Sequence, residues 1–150
     1  MTVTIRPVAQ ADRAKWEELF EGYAQFYKTT IPEGAFDTVW EWIFDPDNKF
    51  WCDVAETEDG RVIGFTQYQL MQRSLSGGMV IYLGDLFVEP EVRGTGAGRK
   101  LIDNVVEAAR GMGITNVRWL TQEFNYTARK LYDTYQPKSD FILYSIPVEA

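Results

Sequence analysis

Met79 to Val88 is a nearly unbroken apolar run, and Glu89-Pro90-Glu91-Val92-Arg93-Gly94-Thr95-Gly96-Ala97-Gly98 follows it directly. Such a run suits a strand buried on both faces at the centre of a sheet. Gly84 interrupts it, and glycine inside a strand marks a bulge or a close approach by a ligand. Glycines alternate at 94, 96 and 98, so backbone N–H groups can approach a ligand with no Cβ atoms in the way. Arg99-Lys100-Leu101-Ile102 then opens a helix, whose first turn offers N–H donors and the positive end of the dipole. Arg93 adds a fixed positive charge suited to phosphate oxygens. The stretch predicts a strand, a turn that grips a pyrophosphate, and a helix. The rest of the chain is organised around it.

Two nucleotide motifs can be tested against this turn. A P-loop needs Gly-Lys-Ser/Thr, which the chain lacks. The dinucleotide fingerprint Gly-x-Gly-x-x-Gly would need glycine at Arg99 or at Leu101, and fails in both frames. What remains is Arg-x-x-Gly-x-Gly, from Arg93 through Gly96 to Gly98, or else an ordinary glycine-rich loop. In its place after an apolar strand, the pattern resembles the acetyl-CoA-binding motif of the GNAT superfamily of N-acetyltransferases.

Composition narrows the function classes. At 150 residues the chain is most simply one domain, 1–150, and 45% hydrophobic content argues against disorder. A net charge of −7 speaks against a nucleic-acid partner and tilts towards a cationic substrate. The absence of histidine excludes the usual histidine triads and most zinc sites, so no metal is expected. Cys52 is the single cysteine, which rules out an intrachain disulfide and suits a reducing compartment. With no long apolar run and no signal peptide at Met1 to Arg6, the expectation is a cytoplasmic protein without a membrane partner.

Along the chain, Thr2 to Val8 reads as a short strand. Trp16, Leu19, Phe20, Tyr23 and Tyr27 fall on one face of a first helix, with Asp12 at its start. Phe36, Val39, Trp40 and Ile43 mark a second helix that Asp45-Pro46 ends. Phe50–Glu56 and Arg61–Met71 read as strands joined at Glu58-Asp59-Gly60. After the glycine turn come a helix with its apolar face at Leu101, Ile102, Val105, Val106, Ala109 and Met112, a strand at Val117 to Thr121, a helix capped by Asn125, and a last strand from Phe141 to Ile146. This order is similar to that of the GNAT fold, an α/β architecture in which a mixed central sheet, splayed at its central strand, is flanked by helices.

The resemblance implies the rest of the site. Leu86, Phe87 and Val88 would hold the pantetheine of acetyl-CoA and polarise its carbonyl beside the bulge. Arg93, Gly94, Thr95, Gly96, Ala97, Gly98 and Arg99 would cradle its pyrophosphate. Glu123-Phe124-Asn125 with Leu131-Tyr132 looks like a second family signature: Asn125 would contact the cofactor, and Tyr132, seven positions on, would bind it too and protonate the departing thiolate. Tyr82 to Val88 is similar to the central strand of the spermidine/spermine and thialysine acetyltransferases. Homodimers are common among such relatives. Ala97 and Gln136-Pro137 depart from the usual family residues.

Asp85 is the most informative polar residue, since a carboxylate in an apolar strand must be paired, hydrogen-bonded or open to a cleft. It can bind an amine cation, take its proton, or bond backbone N–H groups. Glu123 is a second candidate for proton removal. Phe26, Tyr27 and Trp40 can either pack the core or line an acceptor pocket. The expectation is acetyl transfer to a small primary amine, polyamine-like or lysine-like, by direct attack in a ternary complex. The alternatives are a non-catalytic acyl-CoA-binding module and a protein N-terminal or lysine acetyltransferase.

Overall fold

The computed structural model describes residues 2–92 and 94–149. It divides into two compact units, Met1–Leu120 and Thr121–Ala150. The first contains β1 (Val3–Pro7), α1 (Arg13–Phe26), α2 (Ala35–Phe44), β2 (Phe50–Thr57), β3 (Val62–Arg73), β4 (Gly78–Val88), α3 (Ala97–Gly111) and β5 (Val117–Trp119). The strands form one sheet in the order β1-β2-β3-β4-β5, antiparallel except for the parallel β4–β5 pair. It is a mixed sheet flanked by helices, as expected, with β4 fourth of five rather than central.

Side-chain alternation along the strands supplies two apolar faces. One packs Trp16 and Leu19 of α1 and Trp40 of α2 against Cys52, Val54, Phe65 and Phe87. The other packs Ala97 and Leu101 of α3 against Val3, Ala55 and Ile63. Trp16, Phe65 and Leu101 are fully buried, each worth about 1.5–3 kcal/mol relative to an exposed side chain. Of the periodic residues read from the sequence, α1 buries Trp16 and Leu19 and α3 buries Leu101, Ile102, Val105 and Ala109, whereas Phe20, Tyr23 and Val106 are half-buried and Met112, just past the end of α3, is exposed. Asp12 stands at the start of α1 without capping it. Its carboxylate instead takes Arg6 at 2.7 and 3.0 Å and the Ala9 N–H at 2.7 Å.

The expected bulge is present. Gln67 of β3 faces Asp85 and Tyr68 faces Leu83, which leaves Gly84 as the extra residue. Before the bulge, β4 pairs with β5 at Ile81, Tyr82 and Leu83, and the pairing ends there. The sheet therefore splays at the bulge.

The second unit holds α4 (Tyr126–Tyr132). Phe141 to Ile146, expected as a last strand, is not a strand among the described residues. A strand is completed by ladder hydrogen bonds from a neighbour, and Phe141, Ile142, Leu143 and Tyr144 are instead exposed. No helix of the described residues is long and apolar enough to cross a membrane.

Candidate active site

The turn after β4 is anchored before it begins. Glu89 is buried, accepts Lys15 of α1 at 3.1 Å and Arg61 at 3.3 Å, and donates its backbone N–H to Ile63 at 2.9 Å. A 3-10 turn at Pro90–Val92 then sinks Val92 into the core under α3. Gly94 and Gly96 adopt φ values of +92° and +82°, a region that strains other residues. A Cβ at either would meet nothing within 4 Å, so the concave side of the turn is open. α3 starts at Ala97, which is buried beside Leu101, so the small residue at this position serves close packing under the turn. Thr95 Oγ1 accepts the Ala97 N–H at 3.4 Å, and Lys100 N–H closes the first helical turn on the Gly96 carbonyl at 3.0 Å. First-turn N–H groups point out of the helix N-terminus, so Gly98 and the exposed Arg99 stand at the mouth of the turn. This open, left-handed backbone at a helix start fits the diphosphate of acetyl-CoA. Arg93 lies outside the described residues.

The bulge forms the second part. Asp85 is partly buried beside the exposed Gly84. Gln67 Nε2 donates to Asp85 Oδ2 at 2.8 Å, and Gln67 Oε1 accepts the Trp16 indole N–H at 2.9 Å. The Tyr23 hydroxyl lies 3.2 Å from the Gly84 carbonyl and within hydrogen-bond reach of the Asp85 side chain, so its single proton is shared between these two acceptors. Thr66 Oγ1 donates to the Asp85 carbonyl at 2.8 Å, fixing the backbone there. Burial pushes the Asp85 carboxyl above its ordinary value, while hydrogen bonds from Gln67 and Tyr23 pull it back. No ion pair to Asp85 occurs among the described residues, so the carboxylate is held by neutral groups alone.

Aromatic rings lead from this carboxylate along α1. Tyr23 lies 5.1 Å from Tyr27, centroid to centroid, and Tyr27 lies 5.2 Å from Phe26. Phe26 is exposed and Tyr27 half-buried, positions that leave both rings available to a ligand. Trp40 differs. It is buried 4.7 Å from Trp16, its indole N–H bonds Gln10 at 3.1 Å, and Arg13 stacks on it, so it is a core residue with no open face to offer an acceptor. Phe87 belongs to the α1-side core, whereas Leu86 and Val88 pack towards α3.

Glu123, Asn125 and Tyr132 sit in the second unit. Asn125 precedes α4 as predicted, yet its side chain does not cap the helix. Its amide donates to Thr121 Oγ1 at 3.0 Å. Glu123 has an exposed side chain, and its carbonyl accepts Arg129 at 2.6 Å. Tyr132 ends α4 and is half-buried.

Sequence reasoning missed Tyr23, Gln67 and Trp16 as neighbours of Asp85. A glutamine in the apolar strand Val62–Tyr68 was a usable signal, because a buried amide needs partners. The pairing that supplies them is long-range.

Comparison with known proteins adds independent findings. The profile of the Acetyltransferase (GNAT) family matches residues 16–135. The chain is similar to D-amino-acid N-acetyltransferase HPA3 of Saccharomyces cerevisiae, 34% identical over 143 residues, covering 95% of this chain and 89% of that protein. It is also similar to thialysine N-epsilon-acetyltransferase of Sus scrofa, 34% identical over 98 residues, covering 61% of this chain and 57% of that protein. In fold it is similar to AAC(6')-Iy in complex with the bisubstrate analogue CoA-S-monomethyl-acetylneamine, with a TM-score of 0.84 at 19% identity and all of both chains covered.

Proposed function

The chain belongs to the acetyltransferase (GNAT) family, and from that premise we propose that it acetylates a small primary amine that Asp85 draws in as an ammonium ion. Acetyl-CoA, when bound, supplies the acetyl group as an activated thioester. Residues of the chain do the rest. The backbone of Gly94, Thr95, Gly96, Ala97 and Gly98, with Arg93 and Arg99, holds the diphosphate. Backbone groups of Leu86, Phe87 and Val88 hold the pantetheine arm and polarise the carbonyl. Asp85 attracts the ammonium and takes its proton, since an amine must be neutral to attack, and Glu123 is the alternative base. Asn125 contacts the cofactor, and the Tyr132 hydroxyl gives its proton to the leaving sulfur.

The observation that carries the amine reading is Asp85: a carboxylate held by neutral donors, beside an exposed glycine and a row of tyrosines. Burial raises its proton affinity, which makes it a stronger base than an exposed carboxylate. The acceptor class follows from the same group together with the amino-acid relatives. The family match crosses Leu120 without a break, which supports residues 1–150 acting as one domain. A cytoplasmic homodimer completes the proposal, and sedimentation of the purified protein checks the dimer.

The test is thiol release from acetyl-CoA across D-amino acids, lysine analogues including thialysine, polyamines, aralkylamines and a short peptide. One amine class should turn over well above hydrolysis. Tyr132→Phe should lower kcat on that amine by about 100-fold, the lower range for a lost proton donor, with little change in KM for acetyl-CoA. Acetyl-CoA binding by calorimetry with no turnover of any amine would sink the proposal, and turnover of the peptide alone would replace its acceptor class.

A further inference from the structure

Gln67 is a buried amide, 1% exposed, placed where the register of β3 and β4 shifts. Its two ends make different bonds. The oxygen accepts from Trp16, and the nitrogen donates to Asp85. An indole N–H can only donate, so it dictates which way round the amide sits. Turning the amide over would set donor against donor at Trp16 and put two acceptor oxygens together at Asp85. Trp16 cannot move to accommodate that: it is fully buried, with Phe20, Phe36 and Trp40 packed on its ring at 5.4, 5.7 and 4.7 Å. The bulge completes the arrangement. With Gly84 left over, Asp85 is the residue of β4 opposite Gln67.

We propose that Gln67, oriented by Trp16, is a positioning residue that aims the Asp85 carboxylate and keeps it ready to take the proton of the acceptor ammonium. This rests on the role assigned to Asp85 above. The NH2 group of Gln67 stabilises the ionised carboxylate, because a donor favours the charged form. The titratable groups around Asp85 are Tyr23 from α1, Cys52 from β2 and Tyr82 on β4 itself. Burial raises the proton affinity of Cys52 and of Tyr82, so neither brings a competing charge at neutral pH. Lys15 of α1 is engaged by Glu89 and Glu18.

The experiment compares wild type with Gln67→Glu, which keeps the shape and the acceptor for Trp16 but exchanges the donor at Asp85 for a second carboxyl. Two carboxyls that close share a proton. The acid limb of kcat/KM for the amine should therefore move up by about one pH unit or more, a loss of about tenfold at pH values on that limb that is regained at higher pH. KM for acetyl-CoA should stay within about twofold. In the ligand-free protein, the carbon-13 carboxyl resonance of Asp85 should titrate at correspondingly higher pH, a readout independent of turnover. Trp16→Phe leaves Gln67 in place and removes what orients it, so it tests the same relay if Gln67→Glu does not fold. Its acid limb should move in the same direction by a smaller amount.

An unshifted Asp85 titration and acid limb in a folded variant would overturn the inference. So would a loss of activity equal at every pH, which marks structural damage. Asp85→Asn separates the two levels. Wild-type turnover in that variant removes the role of Asp85 and the inference with it. A slow Asp85→Asn beside a Gln67→Glu of wild-type pH profile removes the inference alone.

Discussion

The two faces of the sheet each bury a carboxylate, and the two are built for opposite ends. Asp53 faces α3, is 5% exposed, and receives Tyr68 Oη at 2.8 Å and Asn104 Nδ2 at 2.9 Å on one oxygen. Asp85 faces α1, has its own amide and hydroxyl partners, and sits beside an exposed glycine. Burial raises the proton affinity of both. The difference is the opening. Asp53 ties β2, β3 and α3 together in a closed network, whereas Asp85 is left at the edge of one by the bulge. Under the proposed function, what the backbone beside each carboxylate leaves open separates Asp53 as a brace from Asp85 as a reaction centre.

The largest expected effect separates the two by activity. Asp85→Asn should lower kcat/KM for the amine by about 100-fold, about 2.7 kcal/mol of transition-state stabilisation, while the protein melts no lower than wild type. A melt several degrees lower would place Asp85 with Asp53 as a brace. Asp53→Ala should do the reverse. It strands the Tyr68 hydroxyl and the Asn104 amide in the core and should cost about 2–3 kcal/mol in urea unfolding, with kcat/KM of the folded enzyme unchanged.

Acidity sharpens the pairing. A carboxyl whose proton affinity rises on folding contributes stability at low pH, below its unfolded value near ~4, and that contribution is lost as pH rises through the folded value. Asp53 and Asp85 are both of this kind. The stability gained by Asp85→Asn over wild type should hence be near zero at pH 4 and grow towards pH 7. Asp12 runs the other way. Its hydrogen bonds to Arg6 lower its proton affinity, so its contribution is present above the unfolded value and is lost as pH falls through the folded one. Melts from pH 3 to 7 of Asp85→Asn and Asp12→Asn should diverge in sign, and parallel curves would remove the distinction.

The smallest effect concerns the bulge itself. A Cβ at Gly84 would meet Tyr82 at 3.6 Å and the Gln67 carbonyl at 3.9 Å, ordinary contacts, so Gly84→Ala should change stability by less than about 0.5 kcal/mol. Gly64 lies across the same strand pair, and a Cβ there would come within 2.8 Å of the Phe87 carbonyl, so Gly64→Ala should cost about 1–3 kcal/mol. Equal urea midpoints for the two would mean that the strands are looser at the bulge than they stand.

Much of this was written in local pattern. The 3.6-residue spacing of Trp16, Leu19, Phe20 and Tyr23, the glycines at 94 and 96, and the hairpin glycine at 60 each specify their own backbone through side-chain periodicity or φ. Asp85 could be singled out because a carboxylate in an apolar strand needs a reason. For Trp40 the sequence left core and pocket lining open, because periodicity places a residue on a face without telling the buried end of that face from the open one. Phe141 to Ile146 was misjudged as a strand because an apolar run does not say whether a partner strand is there to complete it.

The sequence by itself determined the order of elements from β1 to α4, the left-handed glycine turn ahead of α3, and the extra residue in β4, because each depends on the conformational limits of neighbouring residues. Only the tertiary structure decided that Gln67 stands between Trp16 and Asp85, and that Asp53 is closed in while Asp85 is not. Those relations join residues 15 to 51 positions apart, and register and burial, which set them, are properties of the packed sheet.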